Sequence, residues 1–189
     1  NACVKLKTKQ QNEGINLYPP YDKVRIAKQQ CRPDSIIGTA ECISVNWQSL
    51  MKHTINRICT MLEDEIDKMF ESSSSGIEME FISSYGFDGT TNQSRYNQQL
   101  DKNINDSGIF VTAMVPLRLQ KDDEIIWTNT MAQSTRFCRP KKIQFIKETT
   151  EHVLAEKKAN DDEISELEPI IFELPSGKLI FNPSDFIKH

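Results

Sequence analysis

The stretch IEMEFISSYGFDG, residues 77–89, decides how this chain folds. Ile77, Met79, Phe81, Tyr85 and Phe87 fall on odd positions, the two-residue period of a strand with one buried face. The run ends in Asp88 and Gly89. An Asp-Gly after a strand is ordinary turn chemistry. The same pair also aims a carboxylate rigidly, with a glycine beside it that lets a ligand come close. Hard cations such as Mg²⁺ need that rigidity. Asp88 is therefore the first candidate site residue.

Downstream, residues 89–108 are rich in Asn, Gln and Ser and read as a long loop or short helix. Ile109 to Leu119 predicts a second strand, Gln120 to Asp123 a turn, and Glu124 to Asn129 a third strand. Ile143 to Ile146 suits a short fourth strand. Thr149 to Glu168 suits a helix with Val153, Leu154, Ile164 and Leu167 inward, ended by Pro169. Ile170 to Leu174 and Leu179 to Asn182 read as a hairpin around Pro175-Ser176-Gly177-Lys178.

Upstream, Trp47, Leu50, Met51, Ile55, Ile58, Leu62, Ile66 and Met69 recur at steps of three and four. They predict one helix of about 25 residues, roughly 38 Å long, with Ser44 as its cap. His53 and Cys59 lie on it with no partner at metal spacing. Ser72 to Ser75 and Gly76 break the helix and suggest a hinge. Residues 21–31 suit a short basic helix ended by Pro33, and a linker or short extended piece leads to Cys42. The expected division is a lead-in over 1–19, a helical segment over 20–75, and a mixed α/β sheet domain over 76–189.

The 189 residues carry a net charge of −4, so the whole chain is not a basic nucleic-acid binder, and any such contact must be local. Five scattered cysteines form no C-x-x-C, which argues against a zinc finger or a disulfide framework and favours a reducing compartment. No apolar run reaches the roughly 18 residues of a membrane span. The chain opens Asn-Ala-Cys and stops at Phe-Ile-Lys-His, which reads as a cut from a longer protein.

Charge is distributed unevenly. Arg136, Arg139, Lys141, Lys142 and Lys147 give residues 136–147 a net +5, whereas residues 156–173 carry −5. A basic segment just before an acid, Glu148, suits a phosphate-binding surface next to a metal site, and equally a solvated loop. Glu148 itself suits either a ligand or a first-turn helix acid favoured by the dipole. Trp127 and Phe137 near this segment are candidates for base stacking or for the core. P-loop, G-x-S-x-G and H-E-x-x-H motifs are absent.

These residues together resemble a family. YPPYDKVRIAKQQC, GFDGTTNQSRYNQQ, IFVTAMVPLRL, IIWTN and STRFCRPKKIQFIKET, in this order and followed by a helix ending LEP, are similar to the Transib DNA transposases. A more distant similarity extends to the catalytic subunit of the V(D)J recombinase. The resemblance implies an RNase H-like fold: three antiparallel strands, then a helix and a hairpin, after a helical segment. It implies a DDE mechanism, in which carboxylates hold two Mg²⁺ or Mn²⁺ ions about 3.5–4 Å apart for cleavage and transfer of DNA strands. Asp88 matches the first catalytic Asp, and Glu148 matches an additional acid near the metals. Implied partners are the terminal inverted repeats of a transposon and a second copy of the chain, in the nucleus. The pattern departs at Phe87, where the family would have Cys, and at the remaining catalytic Asp and Glu, which match nothing here; Asp185, in NPSDFIKH, has the wrong context. The alternative is a transposon-derived protein that binds DNA or a partner without catalysis.

Overall fold

The computed structural model describes residues 19–71, 76–91 and 108–183. The chain forms two compact units, Asn1–Pro33 and Asp34–His189. In the first, helix α1 (Tyr21–Gln30) follows Pro20 and buries none of its residues. It is the short basic helix expected there.

The second unit contains α2 (Trp47–Met61), α3 (Glu63–Glu71), α4 (Thr150–Ser165) and eight strands. The strands are β1 (Ile37–Gly38), β2 (Cys42–Ser44), β3 (Ile77–Thr91), β4 (Gly108–Lys121), β5 (Glu124–Thr128), β6 (Arg139–Gln144), β7 (Ile170–Leu174) and β8 (Gly177–Phe181). They form one sheet in the order β1-β2-β6-β4-β3-β8-β7, with β5 beside β4. Every pairing is antiparallel except β3 with β8. The result is a mixed α/β fold, as the strand and helix periods predict.

Several elements differ from expectation for local reasons. Asn46, not Ser44, caps α2: its side chain accepts the Ser49 N–H at 2.7 Å, while Ser44 pairs with Lys142 in the sheet. The long helix is two helices, α2 ending at a Leu62 cap whose φ/ψ of −111°/24° breaks the rod. Both still bury the predicted stripe, including Trp47, Leu50, Met51, Ile55, Ile58 and Ile66. They share one core with Ile77, Met79, Phe81, Met114, Leu119, Leu179 and Phe181 of the sheet. Hence the helices over 47–71 lie in the same compact unit as the sheet. The expected hinge at 72–75 and most of the 89–108 loop lie outside the described residues.

Two bulges set which side chains face the helices. Ile82 and Ser83 pair with Arg118 and Pro116, so Leu117 is extra in β4. Asn129 secures it, donating its backbone N–H to the Leu117 carbonyl at 2.8 Å and its side-chain amide to Pro116 O at 2.8 Å. The inward residues of β4 therefore change parity, from Leu119 to Met114, Thr112 and Phe110. The second bulge lies in β6, where Thr112 and Ala113 pair with Lys142 and Pro140 and leave Lys141 extra.

Helix α4 docks on this face through polar groups. Its buried residues are Glu156 and Asn160. Lys142 Nζ contacts both Glu156 carboxylate oxygens at 2.7 and 2.9 Å. Asn160 Oδ1 accepts Trp47 Nε1–H at 2.8 Å, and Glu163 Oε1 accepts the Trp47 backbone N–H at 2.7 Å. Glu163 also pairs with Lys141 at 2.8 Å. Tyr85 donates its hydroxyl to Asp161; burial first, and then this carboxylate, push the phenol above its usual range. The expected inward face is thus corrected in part: Ile164 and Leu167 reach the core, but Leu154 is 62% exposed.

Replacing Glu156 with Ala leaves the Lys142 ammonium without its partner. With Lys142 still 22% exposed, the loss expected is about 3 kcal/mol, at the low end for a broken buried pair. Urea unfolding measures it; a change below about 1 kcal/mol would remove this pair from the forces placing α4.

Candidate functional site

Asp88 and Gly89 are not a turn. They pair with Val111 and Phe110, and β3 continues to Thr91. The glycine is required by a close approach. A Cβ on Gly89 would collide with the Glu148 carboxylate and lie 2.7 Å from Glu148 Cβ and 2.9 Å from its Cδ. Glu148, 60 residues further along the chain than Asp88, therefore covers the backbone next to that acid.

A second glycine makes the path possible. A Cβ on Gly108 would stand 3.0 Å from the Ile146 carbonyl oxygen and 3.2 Å from Lys147 Cα. The segment leaving β6 thus crosses the end of β4 at Gly108 and reaches β3 at Gly89. Phe145 N–H, bonded to Glu41 O at 2.8 Å, fixes the start of this crossing. Thr149 fixes its end as the N-cap of α4, accepting the His152 N–H at 3.2 Å. Glu148 precedes the helix, so it is not a first-turn acid.

The two carboxylates reach this place from different faces. Gly89 opposes Phe110, whose ring meets His152 of α4 at 4.7 Å, so Glu148 lies on the helix-covered face. Asp88 opposes Val111, and Val111 opposes Ile143, which is 38% exposed on the face that the described helices leave bare. Alternation along β3 starts the Asp88 side chain on that bare face. Both acids are exposed, and neither has an ion-pair partner among the described residues. Beside them, on the edge away from β4, no described strand pairs with β3, because β8 meets it only at Ile77–Met79.

The basic segment divides in three. Lys141 and Lys142 point at α4, the bulge allowing two neighbours to share a face, and their charges are met by Glu163 and Glu156. Arg139 folds onto its own turn, donating to the Arg136 and Cys138 carbonyls at 2.8 and 3.4 Å. Arg136 and Lys147 are exposed and have no ion-pair partner among the described residues. Trp127 and Phe137 pack on each other with centroids 6.0 Å apart, Trp127 against the core.

His152 has nothing in its immediate sequence context to mark it. Its ring is held against Phe110, and its Nε2 is buried without a hydrogen-bond partner among the described residues. The signal for it lies in the spacing His152, Glu156, Asn160, Glu163, one helical face of polar residues.

A cavity of about 230 Å³ lined by Cys59, Ile66, Phe172 and Leu174 includes none of these residues. Burial pushes the Cys59 thiol up to about 12, so it stays protonated and unreactive at neutral pH. No group of three or more His, Cys, Asp or Glu side chains able to hold a metal occurs among the described residues. None of the described helices is long and apolar enough to cross a membrane. No protein-family model matches the sequence, and no curated protein matches it.

Gly108→Ala pushes a Cβ against backbone that cannot give way, and should cost about 1–3 kcal/mol in urea unfolding. Gly89→Ala meets Glu148 Cβ at 2.7 Å, an atom that no rotamer change moves. It should cost at least as much while shifting the Glu148 NMR signals, and unchanged signals would place Glu148 elsewhere.

Proposed function

We propose that the chain supplies two acids of a DDE-type DNA strand-cleavage and transfer site, in an RNase H-like domain of a Transib-like transposase. The observation that carries this reading is the seating of Glu148 on the backbone beside Asp88. The crossing over Gly108 and Gly89 has no need of an acid at 148 for packing, since that side chain is exposed. An exposed carboxylate seated on the backbone next to a second acid is donor chemistry suited to a hard divalent ion.

The two acids fit part of such a site. Asp88 and Glu148 would each offer a carboxylate to Mg²⁺ or Mn²⁺, and the other acids that the resemblance calls for are not among the described residues. Bound ions would supply activation of water or a 3′-hydroxyl and stabilisation of the leaving oxygen in attack on a phosphodiester. Asp88 is aimed by its place in β3. Glu148 is aimed by the cap at Thr149 and by the glycine beneath it. Arg136 and Lys147, with charges not spent inside the fold, are the residues offered to DNA phosphates. Lys141 and Lys142 serve the fold first and reach DNA only by giving up Glu163 and Glu156. A homodimer on paired transposon ends, acting in the nucleus, completes the reading.

Mn²⁺ added to the 189-residue chain should broaden the amide signals of Asp88, Gly89 and Glu148, and Asp88→Asn should abolish the effect. No broadening there would sink the metal site. Strand cleavage by these residues alone is expected to be absent in Mg²⁺ or Mn²⁺, because two acids do not make a two-ion ligand set, and robust Asp88-dependent nicking would refute that. Duplex DNA binding should weaken with salt. Arg136→Ala with Lys147→Ala should flatten the log–log slope by about 0.9 for each phosphate that the variant no longer neutralises. DNA binding with no ion broadening would move the chain to the non-catalytic alternative.

A further inference from the structure

His152, Glu156, Asn160 and Glu163 form one inward polar stripe on α4. Three of the four have polar partners: Lys142 for Glu156, Trp47 for Asn160, and both Lys141 and Trp47 for Glu163. His152 is the exception, because its Nε2 is shut from solvent and has no hydrogen-bond partner among the described residues. A buried polar atom of this kind calls for an explanation, since nearly all are satisfied in folded proteins. His152 stands at the end of the stripe nearest Glu148, and Thr149 caps the turn between them. Its ring rests on Phe110, Phe110 opposes Gly89, and Glu148 lies on Gly89. The ring and the carboxylate therefore occupy the same face of the same two strands. Glu148 is exposed, and its carboxylate has no ion-pair partner among the described residues.

We propose that His152 is a positioning residue for Glu148, with Nε2–H donating to the Glu148 carboxylate and aiming it. The role rests on the carboxylate site argued above, because only there does the aim of Glu148 matter. Carboxylates and histidines around bound metals are commonly oriented by such outer hydrogen bonds. The His152 backbone is already fixed by the Thr149 cap, so the ring can transmit a defined direction. Two other buried atoms on this face, Thr112 Oγ1 and Gln144 Oε1, also lack partners among the described residues. Gln144 opposes Phe110 across β4 and β6. A water joining them to His152 is the competing explanation, and it gives His152 no influence on Glu148.

Nitrogen-15 NMR of the metal-free chain should find His152 in the Nε2–H tautomer. A dominant Nδ1–H form leaves nothing to donate and overturns the role without touching the metal site. His152→Ala should weaken Mn²⁺ broadening at Glu148 about tenfold in apparent affinity. His152→Gln, which can place an N–H near the Nε2 position, should recover most of it. Urea unfolding of both variants checks that each is folded. Wild-type Mn²⁺ response in a folded His152→Ala refutes the role and favours the bridging water. Mn²⁺ broadening indifferent to Asp88→Asn instead refutes the site, and the role falls with it.

Discussion

The fold depends on a helix that is bound by its polar side. Most surface helices dock through an apolar stripe and tolerate some sliding, because dispersion and burial are non-directional. Helix α4 buries a carboxylate and an amide instead, and each has a specific partner in β6 or α2. Such contacts cost desolvation, and a buried ion pair is weak evidence for net stability. Direction is what they add. Moving α4 by one turn would strand Glu156 without Lys142, Asn160 without the Trp47 indole, and the Trp47 N–H without Glu163. Trp47 is the first residue of α2, so its orphan N–H receives a carboxylate where the helix dipole favours one. The same contact joins the two helices and caps one of them.

A helix fixed in register fixes what precedes it. Four residues separate the end of β6 at Gln144 from the cap at Thr149, and that short span must cross two strands. Gly108 and Gly89 remove the side chains that would block it. The bulge at Lys141 serves the same end, since it turns two lysines toward α4 and presents the Lys141 carbonyl to the Val45 N–H at 2.9 Å. Glu148 is thus placed by constraints at both ends of its segment and by an absent Cβ beneath it.

The parts of this arrangement that follow a period are legible in the sequence. The odd positions of β3 and the three-four steps of α2 and α3 mark their buried faces correctly, because burial on one side writes itself into the pattern. Points where the pattern changes phase are not legible. Leu117 and Lys141 are bulges with no mark of their own, and Leu62 is an apolar residue at a helix break. The charge blocks mislead for a different reason. A +5 segment beside a −5 segment suggests a phosphate surface, yet two of the five cations are spent on the acids of the other block. Sequence gives the sum of charges but not which pairs close. Strand β2 is not legible, since the expected linker or extended piece stops at Cys42 where β2 starts; three residues carry too little pattern and the pairing with β6 is long-range.

Asp88 stands at the end of a cross-strand row, Ile43–Ile143–Val111–Asp88, on the face that the described helices leave bare. Ile43 is 53% exposed and Ile143 38% exposed. Glu148 comes from the other face, so the strand itself stands between the two acids. On the proposed reading, an ion shared by both must lie at the margin of β3 on the side away from β4, where both carboxylates can bend toward it. That margin has no strand paired beside Asp88 and Gly89 among the described residues. A strand edge there offers backbone carbonyl oxygens as well as side chains, and hard cations accept both. The constraint is severe, because Mg²⁺ takes its ligands at about 2.0–2.1 Å and tolerates little distortion. On that reading, it is why the direction of the Glu148 side chain would decide whether an ion is held, and why a rigidly held neighbour such as His152 would have something to act on.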